Sequence, residues 1–155
     1  MPSPEFAFHE LDDLYQEIIL DHYRSPRNAQ HLENPTAIAD GNNPFCGDET
    51  HIELLIGMGD TVQKTGIMGR GCSISQASAS LMSEIVIGKT ASELSEMVQL
   101  FRDMMQGQEV SQEQLDILRD SQVLLGVRQF PVRVKCALLP WVTLLDGVSK
   151  LNADR

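Results

Sequence analysis

The spacing of apolar positions changes twice along the chain, and each change marks a different kind of element. Leu11, Leu14, Tyr15, Ile18 and Ile19 recur at helical spacing with Asp12, Asp13, Gln16, Glu17 and Asp21 between them, which predicts an amphipathic helix. It should end near Ser25-Pro26, because proline restricts the residue before it and lacks the N–H that a helix needs. The opening residues, about 1–9, are expected to be flexible. From Pro35 the pattern shortens to extended pieces: Ala37 to Asp40, His51 to Ile56 with Ile52, Leu54 and Ile56 alternating, and Thr61 to Met68. Gly57-Met58-Gly59-Asp60 separates the second and third pieces and predicts a hairpin. From Cys72 onward the pattern is helical again, and Thr90-Ala91-Ser92-Glu93 and Ser111-Gln112-Glu113-Gln114 are capping boxes at two helix starts. Strands followed by helices, without βαβ alternation, predict an α+β fold: a three-stranded antiparallel sheet covered on one face by helices, in a single domain over residues 1–155.

Pro140 complicates the last helical stretch, Val132 to Leu151, because proline is tolerated in a first turn and clashes deeper inside. The helix either begins near Cys136 or kinks there. In the first case Cys72 and Cys136 both stand at helix N-termini, whose partial positive charge suits an anionic sulfur. Two such sulfurs invite a cation between them.

Composition narrows the setting. With 155 residues, 42% of them hydrophobic, the chain has material for one core without a disulfide staple. Three cysteines, seven methionines and no signal-peptide pattern suit a reducing cytoplasm, and no apolar run reaches membrane-spanning length. A net charge of -10, from 12 basic and 22 acidic residues, with no basic patch, opposes binding to nucleic acid or to an anionic membrane surface. The expected partners are proteins.

The candidate chemistry lies in the cysteines. Cys46 stands in Asn43-Pro44-Phe45-Cys46-Gly47-Asp48 and Cys72 in Gly69-Arg70-Gly71-Cys72-Ser73, both at backbone breaks where a ligand or nucleophile is usually presented. A structural zinc site needs four ligands, so three cysteines leave one place open. Asp48, one glycine away from Cys46, is either that fourth ligand or a turn aspartate bonding its own backbone. The separations fit no zinc-finger template, and three unrelated, half-buried thiols are the alternative to one shared site. Arg133 and Lys135 would share a face beside Cys136 if that segment were extended and would then offset the site's negative charge; otherwise they are solvated basic residues.

Other motifs fail. Gly88-Lys89-Thr90 lacks the first glycine of a P-loop, its place being taken by Ser83, and reads as a helix stop followed by a cap. Gly69-Arg70-Gly71 lacks the third glycine of a dinucleotide fingerprint and reads as a strand-to-helix turn. His9, His22, His31 and His51 form no i, i+4 pair, and none adjoins a cysteine. Ser73, Ser75, Ser78, Ser80 and Ser83 sit at helical spacings outside any nucleophile elbow and read as small packing residues. Zinc-assisted hydrolysis would need a general base that the sequence does not present.

Taken together, Leu14-Tyr15, Asp21-His22-Tyr23, Pro26-Arg27-Asn28, Asn43 to Asp48, Gly69-Arg70-Gly71-Cys72-Ser73-Ile74-Ser75 and Arg133-Val134-Lys135-Cys136-Ala137-Leu138 resemble the U-type iron–sulfur scaffold family over nearly the whole chain. The SufU branch is the nearer one: an extra helical segment, about Met104 to Ser121, separates Cys72 from Cys136, and Lys135 stands where the IscU branch carries a histidine. The resemblance implies a metal site of Cys46, Asp48, Cys72 and Cys136 holding zinc. It further implies a sulfurtransferase-like protein, not a stand-alone enzyme, that stimulates a cysteine desulfurase of the SufS type. A histidine of that partner takes over one zinc position and frees Cys46 to accept persulfide sulfur, while Arg133 faces the site or the incoming partner. IscU-like relatives instead assemble a [2Fe–2S] cluster on the same ligands and pass it to apo-proteins, which would make Cys46, Cys72 and Cys136 cluster ligands and other iron–sulfur assembly proteins the further partners.

Overall fold

The computed structural model describes residues 4–44 and 47–153, with side chains described from 13 to 44 and from 47 to 151. Helix α1 (Pro4–Arg24) leads into a three-stranded antiparallel sheet of β1 (Ala37–Asn43), β2 (Asp48–Ile56) and β3 (Val62–Arg70), in that spatial order. Four helices follow: α2 (Ser73–Val86), α3 (Ala91–Met105), α4 (Gln112–Leu118) and α5 (Pro131–Ala153), with a run of 3-10 turns over Arg119–Gln129 before the last. The α+β architecture and the hairpin agree with the sequence pattern. No helix among the described residues is long and apolar enough to cross a membrane.

Three boundaries differ from the expectation, each for a local reason. The helical backbone begins at Pro4, within the residues expected to be flexible, because proline fits a first helical turn. The strands extend beyond their apolar cores: β1 adds Gly41, Asn42 and Asn43, and β2 opens with Asp48, Glu49 and Thr50. Cross-strand pairing of Asn43 with Asp48 and of Asp40 with His51 holds these polar ends in the sheet. Helix α5 does not begin at Cys136, which was the first of the two readings that Pro140 left open. It starts at Pro131, again a first-turn proline, and runs through Pro140, with Cys136 in its second turn. Both capping boxes form, at Thr90 with Glu93 and at Ser111 with Gln114. The widened gap between Cys72 and Cys136 contains the seven-residue α4 and then 3-10 turns, a more broken path than one helix over Met104 to Ser121.

The sheet has one covered and one open face. Along β2, Asp48, Thr50, Ile52 and Leu54 point inward, toward the face where α5 packs on β1 and β2 and α2 on β3. Helix α2 is buried on almost every side, and its serines form a polar seam. Ser78 Oγ donates to the Ala137 carbonyl at 2.6 Å and accepts the Trp141 indole N–H at 3.0 Å, while Trp141 stacks on Phe101 at 4.0 Å. On the other side of α2, the Arg27 N–H donates to Ser80 Oγ at 2.9 Å, and the Asn28 side-chain amide donates to Ser83 Oγ at 2.9 Å. The serines thus position α1 and α5 around α2, as their small size suggested. Leu14, assigned by its spacing to the apolar face of α1, is in fact exposed, and Ile19 with His22 forms the buried edge.

Glu53 and His51 lie on the open face, where the segment after α1 crosses β3. The Ile67 N–H donates to the Asn28 carbonyl at 2.8 Å, and at Gly66 the backbone of Gln30 comes so close that a side chain there would collide with it. Glu53 receives the Leu32 N–H at 2.8 Å, which together with His31 and His51 lowers its carboxyl to about 2.

His22 supplies a test of this packing. Its Nδ1 lies 2.7 Å from Ser80 Oγ and its Nε2 3.3 Å from Glu84. Burial, and next the Arg27 charge, hold it below its ordinary 6.5, with Glu84, Asp21 and Asp120 partly opposing. The unfolded chain therefore binds this proton at a higher pH than the folded one, so folding stability falls as pH drops below about 6.5. Urea unfolding at pH 7.5 and 5.5 should show a smaller loss in His22→Gln than in the parent. An equal loss in both would mean that His22 is protonated as readily folded as unfolded.

Candidate metal centre

The turn that joins β3 to α2 builds one side of the centre. Cys72 is the N-cap of α2, and its Sγ accepts the Ser75 N–H at 3.5 Å. Gly71 precedes it with φ +145°, a conformation that side chains rarely adopt, and a Cβ at Gly71 would fall on the carboxylate of Asp48. Through that gap Asp48 Oδ1 accepts the Cys72 N–H at 2.8 Å, and its Oδ2 stands 3.8 Å from Cys72 Sγ. Asp48 therefore bonds across to another element instead of to its own turn, and it has no solvent exposure.

Helix α5 supplies the third donor. Cys136 is fully buried in its second turn, with Sγ 3.8 Å from the Val132 carbonyl. The ligand atoms of Asp48, Cys72 and Cys136 all lie within 4.8 Å of one another. Neither cysteine takes part in a disulfide among the described residues. Cys46, the fourth ligand expected from the sequence, lies outside the described residues; Gly47 beside it has φ +70°, and its N–H bonds the Asn43 carbonyl at 2.8 Å. A wholly buried carboxylate between two sulfurs needs compensation that a single N–H supplies only in part. A divalent cation of the borderline-soft kind, such as zinc, matches both the donor types and their convergence.

Arg133 and Lys135 occupy helix α5, not an extended segment, so residues two apart do not share a face. Arg133 lies three residues before Cys136 and lines an open groove of ≈ 520 Å³ with Tyr15, Ile19, Ser73, Ile74 and Phe130. The groove therefore reaches the residue next to Cys72. Lys135 is exposed on another side of the helix.

Two features escaped the sequence. Gly71, legible only as a turn residue, is what lets Asp48 reach Cys72. His31, His51 and Glu53 also converge, within 4.8 Å, on the open face of the sheet, although the spacing of the histidines gave no sign of a pair. The only signal available was the odd-numbered position of His51 and Glu53 on a strand whose even positions are apolar.

An antiparallel α+β scaffold that brings two cysteines and one buried aspartate together from three separate segments defines a candidate thiolate–carboxylate metal centre. The model of the NifU-like N-terminal domain matches residues 14–137, and the chain belongs to that family. It is 44% identical over 140 residues to the zinc-dependent sulfurtransferase SufU of Bacillus subtilis (strain 168), covering 90% of this chain and 92% of the relative. It is 34% identical over 145 residues to the iron–sulfur cluster assembly scaffold protein IscU of Streptococcus pyogenes serotype M1, covering 93% and 88%. The crystal structure of a putative iron–sulfur cluster assembly scaffold protein for the SUF system, from Fervidobacterium islandicum AW-1, superposes with a TM-score of 0.79 at 36% identity, over 85% of this chain and 94% of that one.

If Gly71 serves to admit the aspartate, Gly71→Ala should cost about 1–3 kcal/mol of stability and also deplete bound zinc. Gly107→Ala is also strained, at φ +84°, but with nothing within 4 Å, so it should lower the melting temperature and leave zinc in place. Metal content by elemental analysis separates the two. Full zinc retention in Gly71→Ala would show that the Asp48–Cys72 contact does not shape the centre.

Proposed function

We propose that this chain accepts sulfur from a cysteine desulfurase of the SufS type in cytoplasmic iron–sulfur cluster biogenesis, working as one domain with zinc held by Cys46, Asp48, Cys72 and Cys136. The observation that carries the proposal is the convergence of Asp48, Cys72 and Cys136 within 4.8 Å, with Cys46 two residues before Asp48 in sequence. The 44% identity to a protein named for zinc-dependent sulfur transfer supports it. Zinc, when bound, keeps cysteine ligands as thiolates at neutral pH and masks them until a ligand is exchanged.

The rest follows from the chain. Cys136 is fully buried and therefore closed to an incoming persulfide, whereas Cys46 precedes in sequence Gly47, which is exposed and has φ +70°. The thiolate of Cys46 attacks the outer sulfur of the partner's cysteine persulfide. A new S–S bond forms on Cys46, the partner's S–S bond breaks, and the partner's cysteine leaves as a thiolate, so no external electron donor or acceptor is needed. Asp48, anchored through the Cys72 N–H, fixes the start of β2, two residues from Cys46, while that cysteine is engaged. The groove beside Ser73 offers the partner an apolar floor from Ile19 and Ile74 and one cation, Arg133.

A second reading is a scaffold that assembles a [2Fe–2S] cluster on the same ligands and transfers it to apo-proteins; the 34% identity to a protein named as such a scaffold favours it. Mass spectrometry after a short reaction with desulfurase and cysteine distinguishes the two. Cys46→Ser should abolish the persulfide on this protein and most stimulation of the desulfurase, with the other cysteines unmodified in the parent. Sulfur found first on Cys136, with a stable [2Fe–2S] absorption after iron is added, would replace sulfur relay by the scaffold role.

Arg133→Ala tests the docking face. It should reduce desulfurase stimulation several-fold while zinc content stays near that of the parent. Loss of both together would make Arg133 a determinant of the fold, and loss of neither would return it to the solvated surface.

A further inference from the structure

On the open face of the sheet, remote in chemistry from the sulfur centre, three nitrogen and oxygen donors converge. His51 and Glu53 are alternate residues of β2 and point away from the helices, while His31 arrives from the segment that crosses β3 at Gly66. His31 Nδ1 lies 2.8 Å from Glu53 Oε2, and His51 Nε2 lies 2.7 Å from that same oxygen. The two rings are 5.9 Å apart and tilted by 59°. All three ligand atoms lie within 4.8 Å of one another.

The surroundings of this cluster match those of a metal site. His51 Nδ1 lies 2.6 Å from Asp40 Oδ1, its cross-strand neighbour, so a carboxylate fixes the ring from behind and leaves Nε2 aimed at the cluster. Such a carboxylate–imidazole pair is the usual support of a metal-binding histidine. Glu53 is held in the same manner: Oε1 receives the Leu32 N–H at 2.8 Å, the side chain is 5% exposed, and Oε2 faces the two imidazoles. A cleft of ≈ 680 Å³, lined by His31, Asp40, His51 and Arg70 among others, opens the cluster to solvent.

We propose that His31, His51 and Glu53 form a second metal site, which binds a borderline divalent cation such as Zn²⁺, Co²⁺ or Fe²⁺ with water completing its coordination. Two neutral imidazoles and one carboxylate favour such ions over calcium or magnesium, which prefer oxygen donors throughout. The ion takes the place of the protons that now bridge His31 and His51 to Glu53. With three protein ligands and an open cleft, the site exchanges its ion more readily than the sulfur centre does. It lies on the opposite face of β2 from Asp48, so both sites can be filled at once.

Cobalt reads the two sites separately. Protein preloaded with one equivalent of zinc is titrated with Co²⁺, and absorption is followed from the near ultraviolet through the visible. The expected result is one further equivalent bound, with visible d–d bands and without the near-ultraviolet thiolate-to-cobalt charge transfer that entry into the sulfur centre would give. His31→Ala, whose side chain is 76% exposed, should weaken this binding about tenfold or more while zinc in the sulfur centre is retained. His51→Ala should do the same, at some cost in melting temperature because Asp40 and Glu53 lose their partner. Cobalt bands of thiolate type alone, no second equivalent, or a second equivalent unchanged in both variants would overturn the assignment. A protein that fails to retain the first zinc but still shows the N/O-type cobalt bands would overturn the sulfur-centre reading and leave this one standing.

Discussion

The hydrogen bond from the Cys72 N–H to Asp48 Oδ1 is the constraint on which the rest of the centre depends. It ties the first residue of β2 to the first turn of α2 and spans a gap that exists only because residue 71 has no side chain. Once it is formed, the carboxylate is locked in a dry position, one sulfur stands beside its free oxygen, and the remaining helix need only bring the second. Helix α5 does so through the serine seam, where Ser78 joins the carbonyl next to Cys136 to the middle of α2. The centre is thus held by elements that each have another reason to be where they are.

Much of the fold was legible because the chain states it in local terms. The alternation of Ile52, Leu54 and Ile56, the glycine-rich hairpin and the two capping boxes are short-range signals, and all of them correspond to observed structure. Pro140 left two readings of α5 open, a start near Cys136 or a kink there, and the first fails for a physical reason. Local rules weigh the hydrogen bond lost at Pro140, whereas packing against β1, α2 and α3 outweighs it, so Cys136 lies inside a helix instead of at its start. Leu14 misled in the same way, since periodicity cannot tell which side of an amphipathic helix will find a partner.

The metal centre was only half legible. That Asp48 would meet Cys72 was open to two readings in the sequence, ligand or turn residue, and burial with a cross-element hydrogen bond favours the first. Arg133 lines a groove that reaches Ser73, the neighbour of Cys72, from a helix instead of a strand face. The histidine cluster was not legible at all. Its members come from a loop and a strand twenty residues apart, and their meeting depends on the Gly66 crossing, a tertiary event with no counterpart in local sequence.

The alternation of β2 has a consequence for how this chain can change over generations. Asp48 has an even number and faces the helices; His51 and Glu53 are odd and face water. Gain or loss of a single residue between Asp48 and His51 would invert this parity, turning imidazole and carboxylate into the core or the aspartate out of it. Lengths can drift at the hairpin tip around Gly59, where an added side chain meets open space, but within this strand they can vary only in steps of two. Substitution remains open to β2, while insertion and deletion are nearly closed to it.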